Sequence, residues 1–279
     1  DFDVETKKIG LLMPTYSASR DICTVGGMVG NNAGGEKSLH YGKTENFVSM
    51  LRVVFDDGEV YEIKPLTLSE LQTKVASQTR EGSIYKAIYD LISTHYDEIT
   101  GAKPNVSKNS AGYYLWNVYD KQTGVFDLCR LIVGSQGTLG IVTEITFRLL
   151  PVNKSSKLVV IFLNDLSYIG ELINTVLEYK PESIESYDDN TLKIAVKFFG
   201  DFLKKRGVVG MFKFMFSFLP EFFMMLSGGI PKIILLVECA GETEQEIDKR
   251  ALEIRKSLKT KYHARKLHVH ITHSDEEEQ

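Results

Sequence analysis

Cysteine is scarce: the 279 residues hold three, at positions 23, 129 and 239. An odd and widely spaced set gives neither a disulfide framework nor the CxxC pairing of a metal or iron–sulfur site. It suits a reducing compartment, and a cytoplasmic location is expected. Charge of one sign is lacking too. Thirty-three Lys and Arg against 37 Asp and Glu leave a net charge of -4, which excludes the basic footprint of a nucleic-acid binder. No run of 18 apolar residues is uninterrupted, so no membrane-spanning helix is predicted. The nearest, "VVGMFKFMFSFLPEFFMMLSGGI" over 208–230, is broken by Lys213, Pro220 and Glu221. An initiator Met is missing at Asp1, and the chain stops on the acidic run "SDEEEQ". A piece of a longer protein is therefore expected, and the lack of a leader peptide carries no weight.

The sequence is 43% hydrophobic and 25% charged, ordinary for a globular protein with a sizeable core. Its length suggests two domains. "VSMLRVVFDDGEVYEI" (48–63) reads as a hairpin turning at Asp57-Gly58. "TLSE" (67–70) is a capping box opening a helix to about Gln78, with Thr67 as N-cap and Glu70 at N3. In "SIYKAIYDLIST", Ile84, Ala87, Ile88, Leu91 and Ile92 share a helical face. "CRLIVG" (129–134) and "GIVTEITFRLL" (140–150) read as strands around a glycine-rich turn, and Pro151 begins a linker. Beyond it the rhythm changes to strand–helix, insertion, strand–helix–strand. The pieces are "KLVVIFL", "DLSYIGELINTVLEY" (Leu166, Ile169, Leu172, Ile173, Val176 and Leu177 inward), "KIILLVECA", a helix capped by "TEQE" (243–246), and "RKLHVHIT". That order resembles a ferredoxin-like α+β layer.

Glycine is concentrated in two places. "CTVGGMVGNNAGG" (23–35) lets backbone amides turn toward one point and lets a ligand approach without a Cβ in the way. Such nests bind anions, typically phosphate; a plain surface loop is the competing reading. It has neither the Walker spacing nor GxGxxG. "VGSQGTLGIVTE" (133–144) places Gly134, Gly137 and Gly140 at intervals of three, with Ser135 and Thr138 as hydroxyl donors. Two nests in one domain point to a large phosphate-bearing cofactor.

These residues carry a resemblance. "MPTYSASRDICTVGGMVGNNAGGEKSLHYGKTENFV", "VVFDDGEV", "KNSAGYYLW" (108–116) and "GSQGTLGIVTEITFRLLP" occur in the order found in the flavin domain of the vanillyl-alcohol oxidase/p-cresol methylhydroxylase superfamily, over about residues 9–151. The branch it is most similar to holds the FAD-linked dehydrogenases of D-2-hydroxy acids: D-lactate, glycolate and D-2-hydroxyglutarate. The resemblance implies an α+β fold: an FAD-binding domain of the p-cresol methylhydroxylase type over 1–151, lacking its N-terminal part, and a ferredoxin-like substrate or cap domain over 152–279, truncated at its C-terminus. In the second, "PESIESYDDNTLK" resembles a stretch that typically reads Glu-Leu-Met-Asp.

The activity implied is oxidation of a D-2-hydroxy acid by hydride transfer to flavin N5, with electrons passing to a quinone, cytochrome, flavoprotein or iron–sulfur partner. FAD is expected to be noncovalent. By resemblance, Pro14 shields the flavin. Thr24, Val25, Gly26, Gly27, Asn31, Asn32, Ala33, Gly34 and Gly35 line the pyrophosphate and isoalloxazine edge. Gly134, Gly137, Thr138, Gly140 and Ile141 hold the adenosine side, and Lys108, Asn109 and Tyr113 lie near the flavin or the substrate mouth. Gln136 stands where relatives have Glu; it loses the charge and keeps an acceptor. The family's first flavin loop is expected upstream of residue 1. Its His-x-Gly-Asp-Gly-Asn motif, and with it the catalytic base, is expected beyond residue 279. Alternatives are another flavin oxidase or transferase of the superfamily, such as a relative of alkyl-dihydroxyacetone-phosphate synthase, and a noncatalytic flavin-binding module.

Other residues tempt. His40 reads as a partly buried structural histidine rather than a covalent flavin link. His268 and His270 share a strand face without a fixed third ligand, so no metal site is predicted. Cys23 reads as a small buried thiol. Ser83 and Lys86 form an SxxK on a helix surface without the partner motifs that chemistry requires. Segment 208–230 reads either as a hydrophobic cap element or, with Lys204, Lys205 and Arg206 beside it, as a peripheral membrane contact.

Overall fold

A computed structural model describes residues 1–106, 109, 111–152, 155–198, 231–265 and 267–272. The chain divides into two compact units, Asp1–Val152 and Asn153–Gln279. Lys108 and the segment 208–230 lie outside the described residues, as do Lys204, Lys205 and Arg206.

In the first unit, α1 (Phe2–Lys8) leads into β1 (Leu11–Leu12), followed by short helices α2 (Val25–Gly30) and α3 (Ser38–Tyr41). A three-stranded antiparallel sheet follows, ordered β3 (Val60–Ile63), β2 (Val48–Val54), β6 (Ile141–Phe147). The Asp57-Gly58 turn closes the hairpin, with Gly58 at φ 79 and Asp57 Oδ1 accepting from the Glu59 amide at 3.1 Å. α4 (Leu68–Ala76) starts at the expected capping box: Thr67 Oγ1 accepts from the Glu70 amide, and the Glu70 carboxylate accepts from the Thr67 amide at 2.8 Å. α5 (Arg80–Thr94) and α6 (Tyr96–Gly101) complete the helical layer. Ile92 of the expected α5 face is buried and Ile84 and Ile88 pack against the core, but Ala87 and Leu91 are exposed and Tyr85 is buried in their place. The aromatic rings decide this: Tyr85 and Tyr89 pack on Phe126 at 5.9 and 6.0 Å between centroids, and large rings bury more area than Ala or Leu.

β4 (Tyr119–Asp120) and β5 (Val125–Phe126) form a small ladder before α7 (Cys129–Ile132). "CRLIVG" is thus one helical turn, not a strand. Asp127 Oδ1 accepts from the Cys129 amide at 3.0 Å and initiates that turn. A short, mostly apolar run carries no period that separates the two states. β7 (Leu150–Pro151) returns to pair with β1.

The second unit is a four-stranded antiparallel sheet ordered β11 (His268–Ile271), β8 (Ser155–Leu163), β10 (Ile233–Gly241), β9 (Ser183–Asp188). α8 (Ile169–Leu177) follows β8, α9 (Asp189–Lys197) follows β9, and α10 (Glu244–Lys261) follows β10. Alternate strand residues Val159, Ile161, Leu163, Leu235, Val237 and Cys239 form one buried face. Against it α10 sets Ile247, Ala251, Ile254 and Leu258, a stripe at helical spacing. Leu166 and Leu177, expected inward, are exposed. Asp165 Oδ1 accepts from the Ser167 amide at 2.9 Å, so the chain turns there and the helix begins only at Ile169.

Candidate functional site

The first glycine stretch is not an open nest. Thr24 Oγ1 accepts from the Gly27 amide at 3.0 Å and starts α2, whose Met28 and Val29 side chains enter the core. Gly26 and Gly27 remain exposed at its first turn; the Gly27 amide is taken by the Thr24 cap, and the Val25 and Gly26 amides have no intrahelical acceptor. The chain then reverses at Asn32, φ 44, a conformation that asparagine tolerates. Asn32 is buried; its Oδ1 accepts from the Glu45 amide at 3.0 Å, and its Nδ2 has no partner among the described residues. Ala33 O accepts from both the amide and the hydroxyl of Thr44, at 3.0 and 2.7 Å. Gly35 lies directly under the Pro14–Tyr16 segment: a Cβ there would come within 2.0 Å of Tyr16 O. Pro14 and Thr15 are buried, and Thr15 Oγ1 is a second partnerless buried polar atom.

The second glycine turn docks on the end of α2. The Gly134 amide donates to Val29 O at 2.9 Å and the Gln136 amide to Gly30 O at 2.8 Å. Gly134, Gln136 and Gly137 have φ of 88, 53 and 78, so the turn is left-handed at three of four consecutive residues. Thr138 Oγ1 donates to Ser135 O at 2.5 Å, and therefore accepts from Tyr113 Oη at 2.8 Å. Gly140 is pressed against β2, where a Cβ would meet Val53 Cγ1 at 2.6 Å. Beyond it Ile141 is 67% exposed.

Thus the two glycine segments, far apart in sequence, form one strip. Gly26, Gly27, Asn31, Gly34, Tyr113, Gly137, Thr138 and Ile141 are all exposed. Thr24 is exposed, Val25 is half-buried and Asn109 is half-buried. The strip combines the uncapped Val25 and Gly26 amides, bare backbone and an exposed aliphatic, and beside it lie two buried polar atoms, Asn32 Nδ2 and Thr15 Oγ1, with no partner among the described residues. That donor set fits a large group that is anionic in part and flat and apolar in part.

A cavity of about 730 Å³ adjoins the strip at Lys43. Its wall includes Tyr114 and Trp116, stacked at 5.1 Å, and the ion pair of Arg130 Nε with Asp127 Oδ2 at 3.2 Å. Burial pushes the Asp127 carboxyl above its ordinary value against the pull of Arg130. Lys43, Tyr114 and Trp116 fall within stretches that carry the resemblance, but no sequence pattern marks them as site residues. A tryptophan used once in 279 residues was the available signal.

The other candidates stand apart from the strip or differ from expectation. His40 is exposed, edge-on to the Tyr41 ring at 4.6 Å, rather than partly buried. Cys23 is half-exposed, its Sγ 3.8 Å from Ser17 Oγ, because the residues before α2 run over the surface. Ser83 and Lys86 are exposed on α5, with Lys86 paired to Asp90. His268 packs on Phe162 at 5.6 Å. Among the described residues no cluster of three or more metal-binding side chains occurs, and no helix is long and apolar enough to cross a membrane.

Residues 1–64 match the family described as FAD binding domain. The chain is 30% identical over 191 residues to D-2-hydroxyglutarate dehydrogenase of Pseudomonas putida, covering 68% of this chain and 19% of that protein. It is 28% identical over 193 residues to the glycolate oxidase subunit GlcD of Bacillus subtilis, covering 68% and 30%. With D-lactate dehydrogenase of Anaerostipes hadrus it shares 28% identity over 205 residues, covering 72% and 31%. The chain therefore spans between about a fifth and a third of the length of these relatives. A solved alkyldihydroxyacetonephosphate synthase superposes with a TM-score of 0.57 at 13% identity, covering 98% of this chain and 38% of that one, which shows a shared fold. The match over residues 1–64 is to an FAD-binding domain of the p-cresol methylhydroxylase type, whose cofactor is FAD.

Proposed function

We propose that this chain is the flavin-holding and substrate-capping part of an FAD-dependent oxidoreductase that oxidises a D-2-hydroxy acid. The single observation that carries this reading is the docking of the Gly134–Gly137 turn onto the end of α2, which merges the two glycine segments into one strip. The names of the relatives, each a dehydrogenase or oxidase of a 2-hydroxy acid, supply the substrate class.

In this reading Thr24, Val25, Gly26, Gly27, Asn31, Asn32, Ala33, Gly34 and Gly35 hold the pyrophosphate and the isoalloxazine edge, and Pro14 shields the ring. Gly134, Gly137, Thr138, Gly140 and Ile141 hold the adenosine side. Bound FAD supplies hydride acceptance at N5, chemistry no side chain of this chain provides. The protein's part is orientation. First-turn amides of α2 offer donors to an anion. Tyr113 fixes the Thr138 hydroxyl by donating to it. Ile141 offers apolar cover that keeps water from the ligand. Asn109 and Tyr113 stand at the mouth.

Residues 152–279 are the substrate or cap domain in this reading. The strand–helix–strand order and the antiparallel pattern β11-β8-β10-β9 support a ferredoxin-like layer there. The electron acceptor is a quinone, cytochrome, flavoprotein or iron–sulfur partner.

The test is the visible spectrum of the full-length protein after exposure to FAD, followed by anaerobic addition of D- and L-lactate and of D- and L-2-hydroxyglutarate. Flavin bands that bleach with a D-enantiomer and not with its L-enantiomer are expected. A protein that takes up no flavin overturns the cofactor assignment. A flavinylated protein that no hydroxy acid bleaches overturns the substrate class and leaves a transferase or a noncatalytic flavin module.

A further inference from the structure

Lys43 is a cation in an unusual place. It is only 9% exposed and sits where the first glycine stretch meets the 730 Å³ cavity. A Cβ on Gly34 would lie 3.4 Å from Lys43 Cγ, so the lysine stem packs against bare glycine backbone. Its ammonium donates to Asn109 O at 2.5 Å and to Tyr114 Oη at 3.5 Å, and Tyr114 Oη donates to the same Asn109 carbonyl. Burying an ammonium costs far more than a neutral group unless it is bonded on several sides. Here that cost is spent on a contact between residues 66 positions apart.

The neighbouring tyrosine shows what the contact achieves. Tyr114 is stacked on Trp116 and turned toward Lys43, while Tyr113 donates to Thr138 in the second glycine turn. Consecutive tyrosines thus reach opposite anchors. One is tied to the first glycine segment through Lys43, the other to the second through Thr138.

We infer that Lys43 is a positioning residue for the flavin: its buried ammonium pins Asn109 and Tyr114, and so sets Tyr113 against the turn that holds the cofactor. The inference rests on the flavin reading above. It asks of Lys43 no contact with substrate and no proton transfer. Charge-assisted hydrogen bonds of this kind are the strong ones, and losing them costs about tenfold in an affinity that depends on the pinned geometry.

The experiment compares the wild type with Lys43→Met, Lys43→Arg, Tyr114→Phe and the Lys43→Met/Tyr114→Phe pair. Met fills the stem's volume without a charge, so folding is expected to survive. Two readouts are used: acrylamide quenching of Trp116, the only tryptophan of the chain, without cofactor, and the dissociation constant for FAD by titration. Lys43→Met is expected to make Trp116 more quenchable and to weaken FAD about tenfold. Lys43→Arg, which keeps donors, restores most of both. The double variant is expected to bind FAD no more weakly than Lys43→Met alone, because both changes break one cluster. Unchanged quenching and unchanged FAD affinity in Lys43→Met overturn the inference. So does changed quenching at unchanged affinity, or a lowered melting temperature alone, since those describe a merely structural lysine. A wild type that takes up no FAD fails earlier, and marks the flavin reading itself as the error.

Discussion

Gly35 and Gly26 belong to one stretch and ask opposite things of the chain. At Gly35 a Cβ would meet the Tyr16 carbonyl oxygen at 2.0 Å, and that oxygen is backbone and cannot swing away. Gly35→Ala is therefore expected to destabilise the fold by about 1–3 kcal/mol, read as a lower urea midpoint. At Gly26 nothing lies within 4 Å of a built Cβ, and the residue is helical. Gly26→Ala is expected to stabilise the free protein by about 0.5–1 kcal/mol, because alanine loses less backbone entropy. In the proposed flavin reading it should at the same time weaken FAD, since the methyl would stand in the space offered to the ligand. A variant that is more stable and binds FAD as well as wild type would remove Gly26 from the strip. Sequence reasoning separated these two glycines poorly. Both carry the same expectation as ligand backbone, and the added packing demand on Gly35 comes from a segment 19 positions away, with no local signal. The left-handed residue at Asn32 was readable from asparagine's tolerance. The one at Gln136 was not, because glutamine has no such preference. Lys43 was invisible for a related reason: its burial is made by Asn109 and Tyr114, not by its sequence neighbours.

At the scale of elements, what was legible is what is decided locally. The Asp57-Gly58 hairpin and the Thr67/Glu70 capping box stand where their residues put them. The capping box also has a pH signature. The bond from the Thr67 backbone amide, with its hydroxyl second, holds the Glu70 carboxyl below the ordinary carboxylate range. A carboxyl lowered in the fold contributes stability above its unfolded value and loses it as pH falls through its folded value. In urea unfolding from neutral to acid pH, Glu70→Gln should remove that part of the acid limb and leave the neutral limb's slope unchanged. An acid limb identical to wild type would show that the bond is not held in solution. Thr67→Ala, which removes the cap acceptor, should cost about 1 kcal/mol across the range. Elements decided by tertiary packing were not legible. The glycines of 23–35 announce a backbone nest, yet Thr24 caps a helix there and Met28 and Val29 anchor it. "CRLIVG" is too short to carry a period that separates strand from helix, and Asp127 stands at the start of a helical turn. In each a side chain, Thr24 or Asp127, supplies an acceptor at the start of a helical turn that the local composition does not announce.

For the whole molecule, each unit builds its own core, and each core holds one cysteine. Cys129 lies 1% exposed in the first, donating to Ile63 O at 3.2 Å, and Cys239 is fully buried in the second. Burial pushes both thiols up, Cys239 to about 11. The thiolate is the reactive form, so neither should react with a thiol reagent while its unit is folded. Cys23 is half-exposed and should react in native buffer. Three cysteines in a 279-residue chain thereby make three addressable reporters: one for the surface beside the glycine strip, and one for each core. Labelling across a urea series, read by peptide mass spectrometry, should give Cys23 at once, Cys129 at the midpoint of the first unit and Cys239 at that of the second. Saturating FAD should then shift the Cys129 midpoint upward, because a ligand bound only to the folded unit stabilises it by about 2.7 kcal/mol at a hundredfold excess over its dissociation constant. A Cys129 midpoint indifferent to FAD would place the cofactor elsewhere than on the first unit. Rapid native labelling of Cys129 would mean that the core around Tyr85 and Phe126 opens in the folded state, and with it the support under both glycine segments.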